Sequence, residues 1–179
     1  VGSEMCIRDS FSPLDGLVMG TRCGSVDASA VTYIGEKEGM TYAELNEMMN
    51  KRSGVLGLTG LSSDMRDIDR AYDEGNPEAI LARDMHYRRI KKFVGEYAAE
   101  MGGVDLIVFT GGVGENSSEM RESVCEGLEF MGVHFDKAAN QGARGVNKML
   151  STPDSKVKVA MIATNEELVI ATDTYNLVK

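Results

Sequence analysis

Apolar and polar positions keep a helical spacing between residues 28 and 101, and a strand-and-helix alternation takes over after the pair Gly102-Gly103. Ala28 to Glu38 is short and amphipathic with Gly39 as its stop. Thr41 precedes Tyr42 to Lys51 and has Glu44 at the capping-box position. Ser53 to Leu61 interleaves glycines with Val55, Leu56 and Leu58, which fits a close-packed turn or a short helix. Ser62, Ser63 and Asp64 are cap candidates for the next helix. Asn76-Pro77-Glu78 opens the longest one, because proline in a first turn has no needed N–H to lose. Ile80, Tyr87, Ile90, Val94, Tyr97 and Met101 predict its buried face, and Arg88, Arg89, Lys91 and Lys92 read as a solvated rim.

Leu106 to Phe109 is an unbroken apolar run of strand length, the pattern of a strand covered on both faces. It ends abruptly at Gly111, Gly112 and Gly114, which permit tight turns and bring bare N–H groups close to whatever lies above the strand end. Ser117 or Ser118 caps a helix expected to run to about Met131, with Met120, Val124, Leu128 and Met131 on one face. Gly132 to Phe135 forms a possible short strand, and Asn140 to Thr152 reads as a polar surface loop. Val157 to Ile162 is a second apolar strand, followed by Thr164-Asn165-Glu166-Glu167 and a closing helix. If the two apolar strands are parallel neighbours, Gly112 to Asn116 and Asn165-Glu166 face one crevice, where open α/β sheets bind ligands.

An α/β turn without a ligand has the same strand, glycine and helix order, so the glycine loop alone does not decide a function. A dinucleotide loop would also fit Gly112-x-Gly114, with Asp136 following at a suitable distance. Its third glycine, however, would fall at Ser117, where close helix packing needs no side chain. A phosphate loop of Walker type fails because no Gly-Lys-Ser/Thr follows.

A net charge of −9 argues against nucleic acid as a partner, since phosphate neutralisation needs a basic face. Cys6, Cys23 and Cys125 are odd in number and scattered, which suits free thiols in a reducing compartment. No apolar run approaches membrane-span length, so a cytoplasmic protein without membrane contact is the expectation. Residues 1–10 lack both an initiator Met at position 1 and any periodicity, and read as a non-native scar. Residues 11 to 27 are punctuated by Pro13, Gly16, Gly20 and Gly24. Their one cation, Arg22, lies between glycines where it could approach a ligand with a planar fork of donors, although a lone arginine is more often solvated.

Four stretches carry a family resemblance: Phe-Ser-Pro-Leu-Asp-Gly-Leu-Val-Met-Gly-Thr-Arg, Ser-Gly-Val-Leu-Gly-Leu-Thr-Gly-Leu-Ser-Ser-Asp-Met-Arg-Asp, Val-Phe-Thr-Gly-Gly-Val-Gly-Glu-Asn and Ala-Thr-Asn-Glu-Glu-Leu. In this order they resemble the carboxyl-terminal half of the acetate kinase family, within the acetate/propionate/butyrate kinase group. The resemblance implies an α/β, ribonuclease-H-like domain of the acetate and sugar kinase/chaperone/actin superfamily, incomplete at its amino end. Residues 11–165 would be the truncated nucleotide-binding kinase domain, and 166–179 a closing helix that packs on the missing amino-terminal domain.

The implied reaction is reversible phosphoryl transfer from ATP to acetate, giving acetyl phosphate and ADP with Mg2+. Arg22 then corresponds to the family's transition-state arginine. Asp64, Met65 and Arg66, together with Gly112, Val113, Gly114, Glu115 and Asn116, correspond to its nucleotide contacts. Pro13 corresponds to the border of its acetate pocket and Glu166 to its metal-associated carboxylate. The resemblance further implies that Arg22 and the Gly112 to Asn116 amides converge on one triphosphate, and that the intact enzyme is a homodimer through this half. Ser25, Ala28 and Gly111 depart from the family's usual Asp, Pro and Ala, and neither His86 nor His134 falls in a matching motif. Family members are about twice as long, so the chain alone is expected not to turn over substrate. A propionate or butyrate kinase fragment and a nucleotide-binding module without catalysis are the alternatives, with a dinucleotide oxidoreductase disfavoured by Ser117.

Overall fold

The computed structural model describes residues 12–179. The reading of residues 1–10 as a scar, and Cys6 with it, lies outside that range. Packing divides the described chain into two units, residues 12–100 and Met101–Lys179.

The first unit is helical. Helix α1 (Ala28–Glu38) starts where the Asp27 carboxylate accepts the Ser29 N–H and stops at Gly39, whose φ of 63° is left-handed. Helix α2 (Tyr42–Lys51) opens on the expected capping box: Glu44 N–H donates to Thr41 Oγ1, and Thr41 N–H donates to Glu44 Oε2 at 2.7 Å. The glycine-interleaved segment is a helix, α3 (Gly54–Thr59), and Asp64 caps α4 (Met65–Asp73). The long helix α5 (Pro77–Glu100) follows.

Helix α5 buries the predicted stripe in part: Tyr87 is buried and Ile90, Val94 and Tyr97 are half-buried, but the two ends of the stripe are not. Ile80 is 43% exposed and Met101 is 65% exposed, whereas Ala79, Ala82, His86, Tyr87 and Ala98 are buried. The small alanines allow α3 and α4 to approach α5 closely. A core of Val18, Val55, Ile68, Ala79 and Ala82 closes there, with Leu58, Met65 and Ala71 against it. The basic rim is also only partly solvated, because Arg89 Nη2 donates to the Ser25 carbonyl at 2.8 Å. His86 is buried, and its Nδ1 lies 2.8 Å from the Val18 carbonyl. A carbonyl only accepts, so Nδ1 carries the proton, and burial holds the imidazole below its ordinary pKa.

The second unit is built on a sheet ordered β1 (Leu106–Phe109), β3 (Lys158–Met161) and β2 (Lys148–Met149). Strands β1 and β3 are parallel, with Leu106 opposite Lys158 and Phe109 opposite Met161. Strand β2 runs antiparallel to β3 inside the stretch expected to be a surface loop. Leu150 and Asn140 in that stretch are buried. The polar composition concealed this because β2 needs only main-chain pairing to join the sheet. Strand β1 buries Ile107 and Phe109 but leaves Leu106 and Val108 half exposed, so among the described residues one of its faces, expected to be covered, is not.

After β1 the glycines do not form an open turn. They wind into a short helix, α6 (Gly111–Asn116), entered through Gly111 at φ 72°. Helix α7 (Ser118–Cys125) is capped by Ser117 Oγ and ends before Gly127, whose φ is 79°. The expected continuous helix to Met131 is thereby broken, and Glu129–Met131 is a separate 3-10 turn. Gly132 to Phe135 contributes two isolated bridges, Val133 to Val157 and Phe135 to Ser151. Asp136 caps the short α8 (Lys137–Asn140), and α9 (Glu166–Val178) closes the chain. Neither Cys23, half-buried, nor Cys125, buried, is in a disulfide. No helix among the described residues is long and apolar enough to cross a membrane.

Candidate functional site

In the first unit the chain carrying Arg22 is hung on the start of α3. Val55 N–H donates to the Met19 carbonyl and Leu56 N–H to the Gly20 carbonyl, both at 2.9 Å, and Ser53 N–H donates to the Thr21 carbonyl at 3.0 Å. The main-chain carbonyls of residues 19 to 21 thus satisfy the helix-start donors that Ser53, which makes no side-chain cap bond, leaves open. Thr21 Oγ1 donates to the Asn50 carbonyl at 2.9 Å and Cys23 N–H to the Met49 carbonyl at 3.0 Å, fixing the segment on α2 as well.

The glycines flanking Arg22 permit close main-chain approaches within the chain. A Cβ on Gly20 would lie 2.7 Å from the Ser63 carbonyl, and one on Gly24 would lie 2.6 Å from the Leu17 carbonyl. Close approach at Gly20 brings the Arg22 loop against the segment that leads into Asp64. Arg22 itself is half-buried, with Nη1 3.8 Å from Met19 Sδ, and lines an open polar depression of about 640 Å3 shared with Ser12, Asn46, Glu47 and Lys51. Pro13 is exposed.

Asp64 has two roles. Its Oδ1 accepts the Arg66 N–H at 2.9 Å to cap α4, and both carboxylate oxygens accept from Arg66 Nε, at 3.0 and 3.1 Å. The Arg66 side-chain hydrogen bonds, followed by that from its backbone N–H, hold the carboxyl down at about 2. Arg66 is largely exposed, while Met65 turns partly toward the core. Of the three predicted contacts, then, Arg66 presents donors to solvent and Asp64 orients it.

The second unit gathers the other predicted residues at the carboxyl ends of β1 and β3. Glu115, 9% exposed, is the link. Its Oε1 accepts from Thr164 N–H, from Thr164 Oγ1 and from Gly111 N–H, each at 2.8 Å. These bonds, led by the Thr164 backbone, hold the carboxyl below its ordinary value. The glycine helix and the β3–α9 connection therefore share one crevice, as the parallel pairing requires. Asn116 Nδ2 donates to the Gly112 carbonyl at 2.8 Å and its Oδ1 accepts from Arg144 Nε at 3.1 Å. Asn165 Oδ1 caps α9 through the Leu168 N–H. Glu166 is the first residue of α9, but its side chain lies outside the described atoms.

Glu115 makes an acid-sensitive brace. Because its folded pKa is depressed, its stabilisation is complete above the unfolded value near 4.5 and is lost as pH falls through the lower folded value. Glu115→Gln keeps an acceptor but no titratable proton. Its unfolding free energy is expected to lose that component of the acid dependence, measured by denaturant melts below pH 5. An unchanged acid slope would count against the brace.

A crevice at the strand ends of a mixed α/β unit, bordered by a glycine helix braced through Glu115, is shared by several superfamilies, and comparison with known proteins decides among them. The model of the acetokinase family matches residues 4–172. The chain belongs to the acetokinase family. An acetate kinase of Bacteroides thetaiotaomicron is 56% identical over 186 residues, covering 99% of this chain and 47% of the relative. The crystal structure of Porphyromonas gingivalis acetate kinase superposes with a TM-score of 0.89 at 52% identity, over 94% of this chain and 42% of that one. That of a propionate kinase from Francisella tularensis gives 0.79 at 38% identity, over 89% and 40%. The acetokinase chain described here thus has the fold of the acetate and sugar kinase superfamily, and spans less than half the length of these relatives.

Sequence reasoning missed one buried residue beside this crevice. Arg121 is fully buried beneath the glycine helix, although the expected stripe ran through Met120, Val124 and Leu128. Its spacing from Val124 and Cys125, three and four residues on, already places it on the buried face.

Proposed function

We propose that this chain supplies the nucleotide-contacting part of a kinase that reversibly transfers phosphate from ATP to acetate, forming acetyl phosphate and ADP. The observation that carries the reading is the parallel β1–β3 pair whose carboxyl ends hold Gly111–Asn116 and Thr164-Asn165 together through Glu115, in a chain of the acetokinase family. In this reading Arg22 stabilises charge on the phosphoryl oxygens in transfer. Asp64, Met65 and Arg66, with Gly112, Val113, Gly114, Glu115 and Asn116, contact the nucleotide. Glu115 contributes main chain only, because its carboxylate is engaged inside the fold. Pro13 borders the acyl pocket. The Arg22 loop and the glycine helix lie in different units.

Among the described residues no group of three or more His, Cys, Asp or Glu could cage a metal. Mg2+ is commonly held by one or two carboxylates together with phosphate oxygens. Glu166, the carboxylate following β3, would hold it, and the ion would neutralise charge building on the phosphates. Placement in the cytoplasm, where ATP is available and Cys23 and Cys125, in no disulfide, stay reduced, belongs to the same reading, as does self-association of the complete enzyme as a homodimer.

A propionate substrate is the second reading, favoured by the likeness to the Francisella propionate kinase. The test is a coupled assay of the complete protein with acetate and propionate in parallel. ATP-dependent acetyl phosphate formation at the higher kcat/KM supports acetate. A preference for propionate moves the assignment to the second reading, and turnover of neither sinks both. The present chain alone is expected to give no acetyl phosphate in the same assay, because phosphoryl transfer rests on positioning by parts of the protein it does not contain.

A further inference from the structure

Arg121 heads the fully buried side chains in volume, and it is charged. Its guanidinium reaches three separate oxygens. Nε donates to Asn140 Oδ1 at 2.8 Å, Nη1 to the Gly114 carbonyl at 2.7 Å and Nη2 to the Ala143 carbonyl at 2.8 Å. None of these oxygens belongs to a carboxylate. Burying a cation is costly, and an apolar side chain of similar volume commonly stabilises a core as well or better, so stability alone does not explain an arginine here. What an arginine adds is a rigid fork whose donors diverge toward acceptors on different segments.

The segments it joins are the glycine helix and the loop after α8. That loop makes further bonds to the same helix: Gly145 N–H donates to the Glu115 carbonyl at 3.3 Å, and Arg144 Nε to Asn116 Oδ1 at 3.1 Å. Asn140, held by Arg121, also donates through Nδ2 to the Ser118 carbonyl at 2.9 Å. On its other side α6 sits tight against the end of β1, where a Cβ on Gly114 would lie 3.2 Å from the Phe109 carbonyl carbon. Helix α6 has only six residues and is rich in glycine, so its intrinsic propensity is weak and its shape rests on side-chain bonds, those of Glu115 and Asn116 from within and that of Arg121 from outside.

We propose that Arg121 is a positioning residue that clamps Gly111–Asn116 from beneath and thereby sets affinity for the nucleotide without touching it. The inference rests on the nucleotide-contacting role given above to Gly112–Asn116. Arg121→Lys keeps the charge but cannot span three divergent acceptors. Val124→Ala serves as the control for a purely structural effect, because Val124 lies on the same helix, is fully buried and offers no hydrogen bond.

In the complete kinase, Arg121→Lys is expected to raise the KM for ATP about tenfold, the consequence of losing buried hydrogen bonds, and to leave the KM for acetate within about twofold. Val124→Ala should lower the unfolding temperature with the KM for ATP unchanged. An unaltered KM for ATP in Arg121→Lys, or an equal rise in Val124→Ala, overturns the inference. If Arg121→Lys does not yield folded protein, Asn140→Ala removes one of the three acceptors. It is expected to raise the KM for ATP about threefold, and no change there overturns the inference equally. A wild-type enzyme without ATP-dependent acyl phosphate formation sinks the functional reading and this inference together. An active wild type with insensitive variants sinks the inference alone.

Discussion

Alanine at Arg22 is expected to lower turnover of the complete kinase by on the order of a thousandfold while leaving the KM for ATP within a few-fold. The guanidinium borders an open polar depression, and its loop is fixed by main-chain bonds from Val55, Leu56 and Ser53 that do not involve its side chain. Removing the side chain should therefore leave the loop in place. An interaction made mainly in the transition state lowers kcat and kcat/KM together, which separates this role from substrate binding. Arg22→Lys should recover only part of the loss, because a compact ammonium cannot bind two phosphoryl oxygens with one planar fork. Steady-state kinetics check both variants. A rise in KM for ATP at constant kcat would make Arg22 a binding residue, and unchanged kinetics would leave a nucleotide-binding module whose chemistry lies elsewhere.

Gly54→Ala is expected to destabilise the enzyme by roughly 3 kcal/mol or more, with loss of activity in the protein that remains folded. Gly54 has φ +64°, a left-handed conformation that alanine adopts only at a cost. A Cβ there would lie 2.2 Å from the Met19 carbonyl, 2.7 Å from the Arg22 carbonyl and 2.9 Å from the Arg22 nitrogen. All three neighbours are main-chain atoms of the Arg22 loop, so no flexible side chain can move aside. The loop must shift, or the start of α3 must unwind. Gly60→Ala is the matched control: its φ is +65°, yet a Cβ there meets nothing within 4 Å. Denaturant unfolding should show Gly60→Ala losing only the backbone component, about 1 to 2 kcal/mol. Equal losses at the two positions would mean that crowding against the Arg22 loop contributes nothing.

Much of this arrangement was legible in the sequence where the signal is local. Thr41 with Glu44, Asp64 before α4 and Pro77 at the start of α5 act through neighbours a few residues away, and each begins its helix where expected. The parallel neighbours β1 and β3 were readable as two apolar runs ending in polar cap sequences, and the crevice at Glu115 and Thr164 followed from them. What was not legible depends on partners distant in the chain. Glycine has a poor helix propensity, so Gly111–Asn116 reads as a turn. It becomes helical with Glu115 bonding back to Gly111 and Arg121 holding the Gly114 carbonyl. Lys148 and Met149 are polar or exposed, and only the free edge of β3 makes them a strand.

At the start of α5 the buried face was misplaced for a related reason, although Tyr87 is buried as expected. Large apolar residues dominate a periodicity reading, but close packing by α3 and α4 selected Ala79 and Ala82 and left Ile80 outside. The four resembling motifs name these segments, whereas what each side chain in them touches needed coordinates. Glu115 is occupied as a brace, Asp64 orients Arg66, and Gly20 and Gly24 serve the chain's own approach to Ser63 and Leu17.

Hydrogen–deuterium exchange on the complete protein, with and without a non-hydrolysable ATP analogue and Mg2+, tests most directly whether the glycine helix meets the nucleotide. The expected result is slowed exchange on nucleotide addition at Gly112–Asn116. Unchanged exchange there, with protection confined to other segments, would contradict the nucleotide-contacting role of that helix.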